Sequence, residues 1–328
     1  MPKLSVVIPV YNVENYLRKC IDSVLYENLE DYEIVIVNDG STDSSPEICR
    51  EYALRYPGLI RLISTPNGGL GAARNVGIGQ AKGEFLLFLD SDDTLSENAL
   101  PEIMEALQED VDICIFDFVN VTEDGRSLGR VRGCEREGCF SLEEYPELLF
   151  CPPNAWCKLW KRSMFTDFGI AFPGRVWFED LHTTPKLYTH ARRICYVPKG
   201  WYQYLQRAGS ITKNKNPQRC LEIIGAVDST VDYFREKGLF PRYREELEYM
   251  ALYHQVITST TRVSMIDWKS PVQKELYRNY AEKFPDYREN RYVKAMPVKL
   301  KLLLFYIEHG LYLPFHLTMR LNDIVKGK

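Results

Sequence analysis

Three aspartates follow directly on an apolar run in the stretch EFLLFLDSDDTL. The run covers residues 85–89, and Asp90, Asp92 and Asp93 come next. Carboxylates packed this closely repel one another unless water or a cation screens them. Because side chains alternate along a strand, we expect Asp90 and Asp92 on the same side. Such a pair suits a divalent cation, Mg²⁺ or Mn²⁺, that also binds phosphate oxygens. The alternative is a solvated acidic turn that caps the next helix.

A second polar stretch, VIVNDGSTD, has residues that suit a nucleoside. Asp39 could accept hydrogen bonds from a base N–H group or from a ribose hydroxyl, and Gly40 permits the tight turn behind it. An ordinary Asx turn leading into a helix explains the same residues.

A third stretch, NGGLGAARNVGIG, is rich in glycine and contains one arginine. Its pattern Gly69-x-Gly71-x-x-Arg74 departs from the dinucleotide-binding fingerprint, because Arg74 stands where the third glycine is expected. Backbone N–H groups at the start of a helix, together with Arg74, would suit a diphosphate. The alternative is a tight turn followed by a surface arginine.

The elements that must position these residues are short apolar strands separated by segments of helical periodicity. The predicted strands are 4–10, YEIVIVND, LIRLIS, 85–89 and 112–119. The predicted helices are 15–26, one beginning at Ser44-Ser45-Pro46-Glu47, 71–81, and one near 101–108. This alternation predicts a parallel sheet covered by helices on both faces. The polar residues that follow each strand are then expected on one edge of the sheet.

In this order, SVVIPVYN, VNDGSTD, GGLGAARNVGI and FLDSDD resemble the family-2 glycosyltransferases over about residues 3–110. The resemblance implies an α/β fold of the GT-A type, with a mostly parallel central sheet flanked by helices and a helical C-terminal extension. It implies that Tyr11 and Asp39 hold the base and ribose, and that Arg74 supports the nucleotide. The other residues that it assigns to the nucleotide are Pro9, Asn12, Gly69 and Asp90. Asp90 and Asp92 form the implied Asp-x-Asp metal site, and Asp93 is a neighbour in the same turn.

Downstream, PPNAWCKLWKRSMF, FEDLHTT and YQYLQRAGSIT resemble the second half of bacterial polysaccharide and O-antigen glycosyltransferases. There an acidic pair carries the catalytic base. The pair maps onto Glu179 and Asp180, and we assign the base to Asp180. The alternative is that Asp180 caps a helix beginning at Leu181. Arg207 either closes over the diphosphate or makes a surface salt bridge. Three tryptophans are either platforms for sugars or parts of the core: Trp156, Trp177 and Trp201.

The resemblance implies inverting, metal-dependent transfer of a sugar from a nucleotide-sugar donor, with UDP as the favoured nucleotide. The implied cofactor is Mn²⁺ or Mg²⁺. The implied acceptor is a hydroxyl of a saccharide or of a polyprenyl-diphosphate-linked glycan in surface polysaccharide biosynthesis. Two alternatives are a metal-dependent nucleotidyltransferase, which uses a similar acidic pair, and a sugar-nucleotide-binding protein without catalysis.

Length and composition set the predicted organisation. The chain has 328 residues and a net charge of −4, which gives no reason to expect nucleic acid as a partner. We predict a catalytic domain over 1–215, with a nucleotide-binding half at 1–110 and an acceptor-binding half at 111–215, and a helical region over 216–328. The nine cysteines include no Cys-x-x-Cys pair and are expected to be reduced thiols in a cytoplasmic protein. The N-terminal stretch has the features of neither a signal peptide nor a spanning helix.

The C-terminal stretch is both basic and apolar. From Lys294 to Lys328 it holds six Lys or Arg residues and two acidic residues. Apolar residues recur at helical spacing over 298–313. Such a segment suits the plane of an anionic membrane at the cytoplasmic face, near a lipid-linked acceptor. Packing on its own domain, or on a second copy in an oligomer, is the alternative.

Overall fold

The computed structural model describes residues 2–207 and 215–325, with side chains up to residue 321. The chain divides into two compact units, 1–210 and 211–328. The sequence had placed the boundary after residue 215. The assignment of the two halves of the first unit to nucleotide and acceptor stays a prediction.

Four parallel strands form one side of the sheet in the first unit, in the order β3-β2-β1-β4. They are β1 (Leu4–Val10), β2 (Tyr32–Asp39), β3 (Ile60–Thr65) and β4 (Phe85–Phe88). The helices that connect them are α1 (Leu17–Leu25), α2 (Ser45–Arg55) and α3 (Leu70–Gln80). These elements confirm the predicted alternation. The near-continuous apolar sequences of β1, β2 and β4 are buried, as expected of strands covered on both faces, whereas β3 at the edge of the sheet buries only Ile60.

The other side of the sheet is mixed. Its elements are β5 (Thr94–Leu95), α4 (Ala99–Glu105), β6 (Ile113–Val121), β7 (Ser127–Val131), β8 (Gly138–Phe140), a 3₁₀ helix (Pro146–Phe150), β9 (Lys158–Lys161), α5 (Ser163–Thr166), α6 (Glu179–Tyr188) and β10 (Ile194–Leu205). Strand β9 lies antiparallel between β4 and β6, and β10 is parallel to β6. The predicted loop or hairpin over 122–138 contains the turn after β6 and the strand β7, which pairs antiparallel with β6.

The prediction of a mostly parallel sheet therefore holds for β1–β4 and is wrong for the second half. The reason is topological. The chain returns through β9, whose four residues carry too little periodicity to predict a strand, and β9 pairs antiparallel with both of its neighbours.

One disulfide contradicts the prediction that all cysteines are free thiols. Cys139 on β8 lies directly opposite Cys195 on β10, and the two sulfurs are bonded. They are 56 residues apart in sequence, so their pairing depends on the antiparallel register of two strands. The other seven cysteines are free and buried.

The second unit is helical in its described residues, which confirms the predicted helical C-terminal region. Its elements are a 3₁₀ helix (Pro217–Leu221), α7 (Glu222–Glu236), α8 (Phe240–Ala251), a π-helix (Leu252–Thr258), α9 (Ser259–Ile266), α10 (Val272–Lys283), a short 3₁₀ turn (Tyr287–Glu289), α11 (Arg291–Ala295), α12 (Val298–Glu308) and α13 (Tyr312–Val325). The helical stretch predicted over 298–313 is two helices, because Gly310 adopts a positive φ of 67° after the end of α12. Among the described residues, no helix has the length and apolar character needed to cross a membrane.

Candidate active site

The carboxyl ends of β1, β2 and β4 bring the predicted residues to one edge of the sheet. Pro9 is buried near the carboxyl end of β1 and pairs with Val37, while Tyr11, just after the strand, is half exposed. Asn12 joins the ends of two strands, since its side-chain oxygen accepts a hydrogen bond from the backbone N–H of Thr42 at 2.8 Å. The predicted convergence of polar residues at this edge is therefore present.

Asp39 at the end of β2 shapes the glycine-rich loop. Its two carboxylate oxygens accept hydrogen bonds from the backbone N–H groups of Gly68 and Gly69, at 2.7 and 2.8 Å. Gly69 has a φ of +88°, and an added Cβ would lie 2.8 Å from the backbone nitrogen of Arg175, so the position favours glycine. Asp39 is buried, and its role beside a base and ribose stays a prediction.

Arg74 is the centre of the site. It lies in α3 with only 1% of its side chain exposed, and its guanidinium bridges three carboxylates. One terminal nitrogen is 3.0 Å from Asp90; the other is 2.9 Å from Glu179 and 2.8 Å from Asp180. The alternative of a surface arginine is wrong, and direct support of a nucleotide by Arg74 stays a prediction. Arg74 joins the two acidic stretches, which are about ninety residues apart in sequence.

The charge balance of this cluster is negative. Three carboxylates share the single guanidinium of Arg74, and they lie in an environment that water reaches only partly. Burial raises the pKa of the Asp90 carboxyl, while the nearby Arg74 lowers it. Burial also raises the pKa of Glu179, and repulsion by Asp180 adds to the effect. A further cation at the open side would relieve this repulsion.

Asp92 forms an ion pair with Arg207. The Nε and a terminal nitrogen of Arg207 both lie 2.8 Å from the same oxygen of Asp92, and the guanidinium stacks 4.7 Å from the ring centre of Tyr16. Both charged side chains are largely but not fully covered. The predicted salt-bridge alternative for Arg207 is therefore present. Closure of Arg207 over a diphosphate stays a prediction. The segment AGSIT, at 208–212, lies outside the described residues.

Both carboxylate oxygens of Asp93 are used in hydrogen bonds within the core. One of its oxygens accepts a hydrogen bond from the hydroxyl of Tyr202, and the other from the backbone N–H of Leu205, both at 2.7 Å. The Tyr202 hydroxyl in turn accepts a bond from the backbone N–H of Asp90 at 3.2 Å. Asp93 is 1% exposed, and burial raises its pKa well above the usual range. These contacts indicate that Asp93 and Tyr202 position the Asp90 turn, so we leave Asp93 out of the proposed metal ligands.

Asp180 lies in the first turn of α6, which begins at Glu179. The helix starts one residue before Asp180, so the capping alternative for Asp180 is wrong. Its second oxygen accepts a hydrogen bond from the backbone N–H of Ala155 at 3.2 Å. The loop that presents Ala155 is held by the fully buried Lys158, whose Nζ donates to the carbonyl oxygens of Pro152 and Asn154 at 2.8 and 2.7 Å. Sequence patterns did not single out Lys158, because a lysine at the start of a short strand is usually exposed.

Two of the three candidate sugar platforms are parts of the core. Trp156 stacks on Tyr202 and Tyr204, and its ring is largely covered. Trp201 packs against Phe116 and donates its indole N–H to Glu102. Trp177 is partly exposed, and its role stays a prediction.

In the described residues, no group of three or more His, Cys, Asp or Glu side chains is arranged as a complete metal site. Asp90 and Asp92 nevertheless offer two partly exposed carboxylates, with 19% and 21% of their side chains accessible. Mg²⁺ is commonly bound through one or two carboxylates plus substrate phosphates and waters. The residues present therefore fit a divalent cation that binds together with a diphosphate.

Comparison with known proteins identifies the family. The sequence model described as Glycosyl transferase family 2 matches residues 5–158. Glycosyltransferase GlyG of Streptococcus pneumoniae is 30% identical over 278 residues, which cover 76% of this chain and 90% of GlyG. Minor teichoic acid biosynthesis protein GgaA of Bacillus subtilis is 42% identical over 212 residues, which cover 62% of this chain and 47% of GgaA.

A solved structure has the same fold. The crystal structure of S. aureus TarS 1–349 in complex with UDP-GlcNAc aligns with a TM-score of 0.63, at 22% identity, over 99% of this chain and 92% of the TarS chain. The predicted α/β fold of the GT-A type is confirmed by this likeness and by the family match. The chain belongs to glycosyl transferase family 2, and it is a glycosyltransferase.

Proposed function

We propose that this glycosyltransferase moves a sugar from a UDP-sugar to a hydroxyl of a saccharide or polyprenyl-diphosphate-linked acceptor in surface polysaccharide biosynthesis. One observation carries the proposal: Arg74 joins Asp90 at the end of β4 to Glu179 and Asp180 at the start of α6. These contacts support a single site that contains both the proposed donor-binding residue Asp90 and the proposed base Asp180. UDP is favoured because TarS, a fold neighbour, was crystallised with UDP-GlcNAc. The pathway is favoured because GgaA is named for minor teichoic acid biosynthesis.

The donor would bind along the carboxyl edge of the sheet. The half-exposed ring of Tyr11 offers a surface on which a nucleobase can stack. The loop held by Asp39 leads into α3, whose N-terminus favours negative charge. The guanidinium of Arg207 would leave Asp92 and form an ion pair with the diphosphate.

Asp90 and Asp92 would hold the divalent cation, Mn²⁺ or Mg²⁺. When bound, such a cation neutralises the charge that builds on the departing diphosphate. Asp93 would act indirectly. Its hydrogen bonds with Tyr202 and Leu205 hold the turn that contains Asp90, since the Tyr202 hydroxyl also accepts a bond from the Asp90 backbone N–H.

Asp180 would act as the general base. The acceptor hydroxyl attacks the anomeric carbon from the face opposite the diphosphate, and its proton passes to a carboxylate oxygen of Asp180. The new bond from the acceptor oxygen to the anomeric carbon forms as the bond to the phosphate oxygen breaks, so the configuration inverts. The ion pair with Arg74 and the bond from Ala155 orient the Asp180 carboxylate for this step. Glu179 would accept a hydrogen bond from the same guanidinium nitrogen and so help to hold Arg74 in place.

The products distinguish this function from its alternatives. We expect purified protein with a UDP-sugar, a saccharide acceptor and Mn²⁺ to release UDP in an acceptor-dependent manner, which a coupled UDP assay detects. Release of pyrophosphate would indicate the nucleotidyltransferase alternative. A donor that stabilises the protein in a thermal-shift screen of nucleotide sugars, yet is never turned over with any saccharide or lipid-linked acceptor, would indicate a binding protein.

Replacing Asp92 with Asn tests the cation site. We expect wild-type protein to bind UDP more tightly with Mn²⁺ than without it. In the presence of Mn²⁺, Asp92→Asn should bind UDP at least about tenfold more weakly than the wild type, because a carboxylate ligand is lost. Isothermal titration calorimetry with UDP, in the presence and absence of Mn²⁺, measures both values. Asp167→Asn, at an exposed position after α5, is the matched control and should retain the gain. Equal UDP affinity of the wild type with and without Mn²⁺ would count against the proposed site.

A further inference from the structure

Helix α12 is apolar on two faces, and only one of them is covered. Its buried face consists of Leu303, Leu304 and Ile307. On the other side, Val298, Leu302 and Phe305 are exposed, at 83%, 41% and 46%. Their spacing of four and three residues places them on one stripe of the helix. An amphipathic helix on the surface of a folded unit normally turns a polar face toward water. The second stripe of α12 is instead apolar and exposed.

Helix α13, which contacts α12, repeats the pattern. Phe315 is fully buried, whereas Leu313, Leu317 and Leu321 are exposed at intervals of four residues. Leu311, in the connection between the helices, is exposed as well. Two consecutive helices in contact with each other therefore each present an apolar stripe on an uncovered side, and exposed apolar surface of this kind indicates an interaction site.

The charges beside these stripes are of one sign. Lys299, Lys301 and Arg320 are exposed, and the only acidic residue between 294 and 321 is Glu308. Glu308 is engaged within the unit, because it accepts a hydrogen bond from Tyr287 and pairs with Arg288 at 3.2 Å. The rim is thus positive in a chain whose net charge is −4.

We propose that the uncovered face of α12 and α13 docks on an anionic lipid surface. The apolar stripes would enter the boundary between headgroups and acyl chains, and the basic rim would pair with the lipid phosphates. A second copy of the chain fits this face less well, because a symmetric contact would bring two copies of the same basic rim together. This inference goes beyond the proposed sugar transfer and does not depend on it.

Vesicle sedimentation with the full-length protein tests the proposal, without donor or acceptor present. We expect the wild type to sediment with vesicles of phosphatidylcholine mixed with phosphatidylglycerol, and to remain in the supernatant with phosphatidylcholine alone or at high salt. Leu302→Glu combined with Leu317→Glu should weaken binding by at least about tenfold for each leucine, because each burial of such a side chain is lost. Lys299→Glu combined with Lys301→Glu should weaken binding by about fivefold or more for each lysine.

Two control variants separate the patch from general surface effects. Leu54→Glu replaces a leucine of α2 that is 81% exposed, and Lys274→Glu replaces an exposed lysine of α10; both should bind vesicles as the wild type does. Thermal unfolding verifies that each variant is folded. If the leucine variant does not fold, the lysine variant still tests the proposal.

Three results would overturn the proposal. One is a wild type that stays in the supernatant with the anionic vesicles. Another is unchanged binding in both sets of patch variants. The third is a wild-type dimer in sedimentation velocity that Leu302→Glu and Leu317→Glu dissociate without any vesicle binding, which would assign the face to a second copy of the chain.

Discussion

Replacing Asp180 with Asn is expected to lower the rate of sugar transfer by about 10²–10⁴-fold, because the general base is lost. The amide can still accept the bond from Arg74, but it cannot take a proton from the acceptor hydroxyl. Binding of UDP should stay near the wild-type value, since the proposed donor contacts lie on other residues. Initial rates with a saturating UDP-sugar, together with calorimetry of UDP binding, separate the two effects.

Glu179→Gln is the informative companion to Asp180→Asn. Both variants remove one negative charge beside Arg74, so they perturb the electrostatics of the cluster in a similar way. We expect Glu179→Gln to retain more transfer activity, because Asp180 is the residue held by both Arg74 and the N–H of Ala155. The reverse order of activities would move the base to Glu179. Wild-type turnover in Asp180→Asn would remove Asp180 from the mechanism.

Replacing Arg74 with Met is expected to destabilise the fold by about 3–5 kcal/mol, because partners of a buried ion pair lose their counter-charge. Asp90, Glu179 and Asp180 would then face one another with no cation among the described contacts between them. Urea unfolding, followed by tryptophan fluorescence, measures the loss. Transfer activity should fall as well, since Arg74 holds the base and the aspartate of the cation site in one arrangement.

The loss in Arg74→Met should grow with pH. Without Arg74, burial and mutual repulsion raise the pKa of Asp90 and Glu179 further above their values in the unfolded chain. The folded variant then holds protons that the unfolded chain has released, so its stability falls as pH rises. Unfolding at about pH 5 and about pH 8 should therefore show the larger deficit at the higher pH.

The control for Arg74 is an arginine in an exposed ion pair. Arg18 and Glu51 are each about half exposed and pair at 2.6 Å, so Arg18→Met should change stability little. A deficit in Arg74→Met no larger than that in Arg18→Met would mean that the buried cluster does not support the fold. A deficit that does not change with pH would mean that the three carboxylates find other counter-charges.

Much of the first half of the fold could be predicted because its signals are local. Strands β1–β4 are short apolar runs, and α1–α3 show helical spacing within single windows of sequence. The order of these elements implies one carboxyl edge, and the residues that follow each strand do lie there. The helical character of the second unit could be predicted on the same grounds, since each helix carries its own periodicity.

Contacts between distant segments could not be predicted in this way. A sequence shows that Arg74 follows a glycine-rich turn, but not that it meets Glu179 and Asp180 more than a hundred residues later. Asp93 differs from Asp92 only by its place in the turn, yet its partner Tyr202 comes from β10 and draws it into the core. Trp156 likewise has its ring covered by Tyr202 and Tyr204 of β10.

The sequence by itself determined the order of β1–β4 and their helices, the helical character of the second unit and the family, because periodicity and short motifs act over a few residues. Only the tertiary structure decided which charges neutralise one another, which cysteines pair and which apolar faces stay uncovered. The physical reason is that these properties depend on strand register and helix packing, which bring together side chains that no local pattern relates.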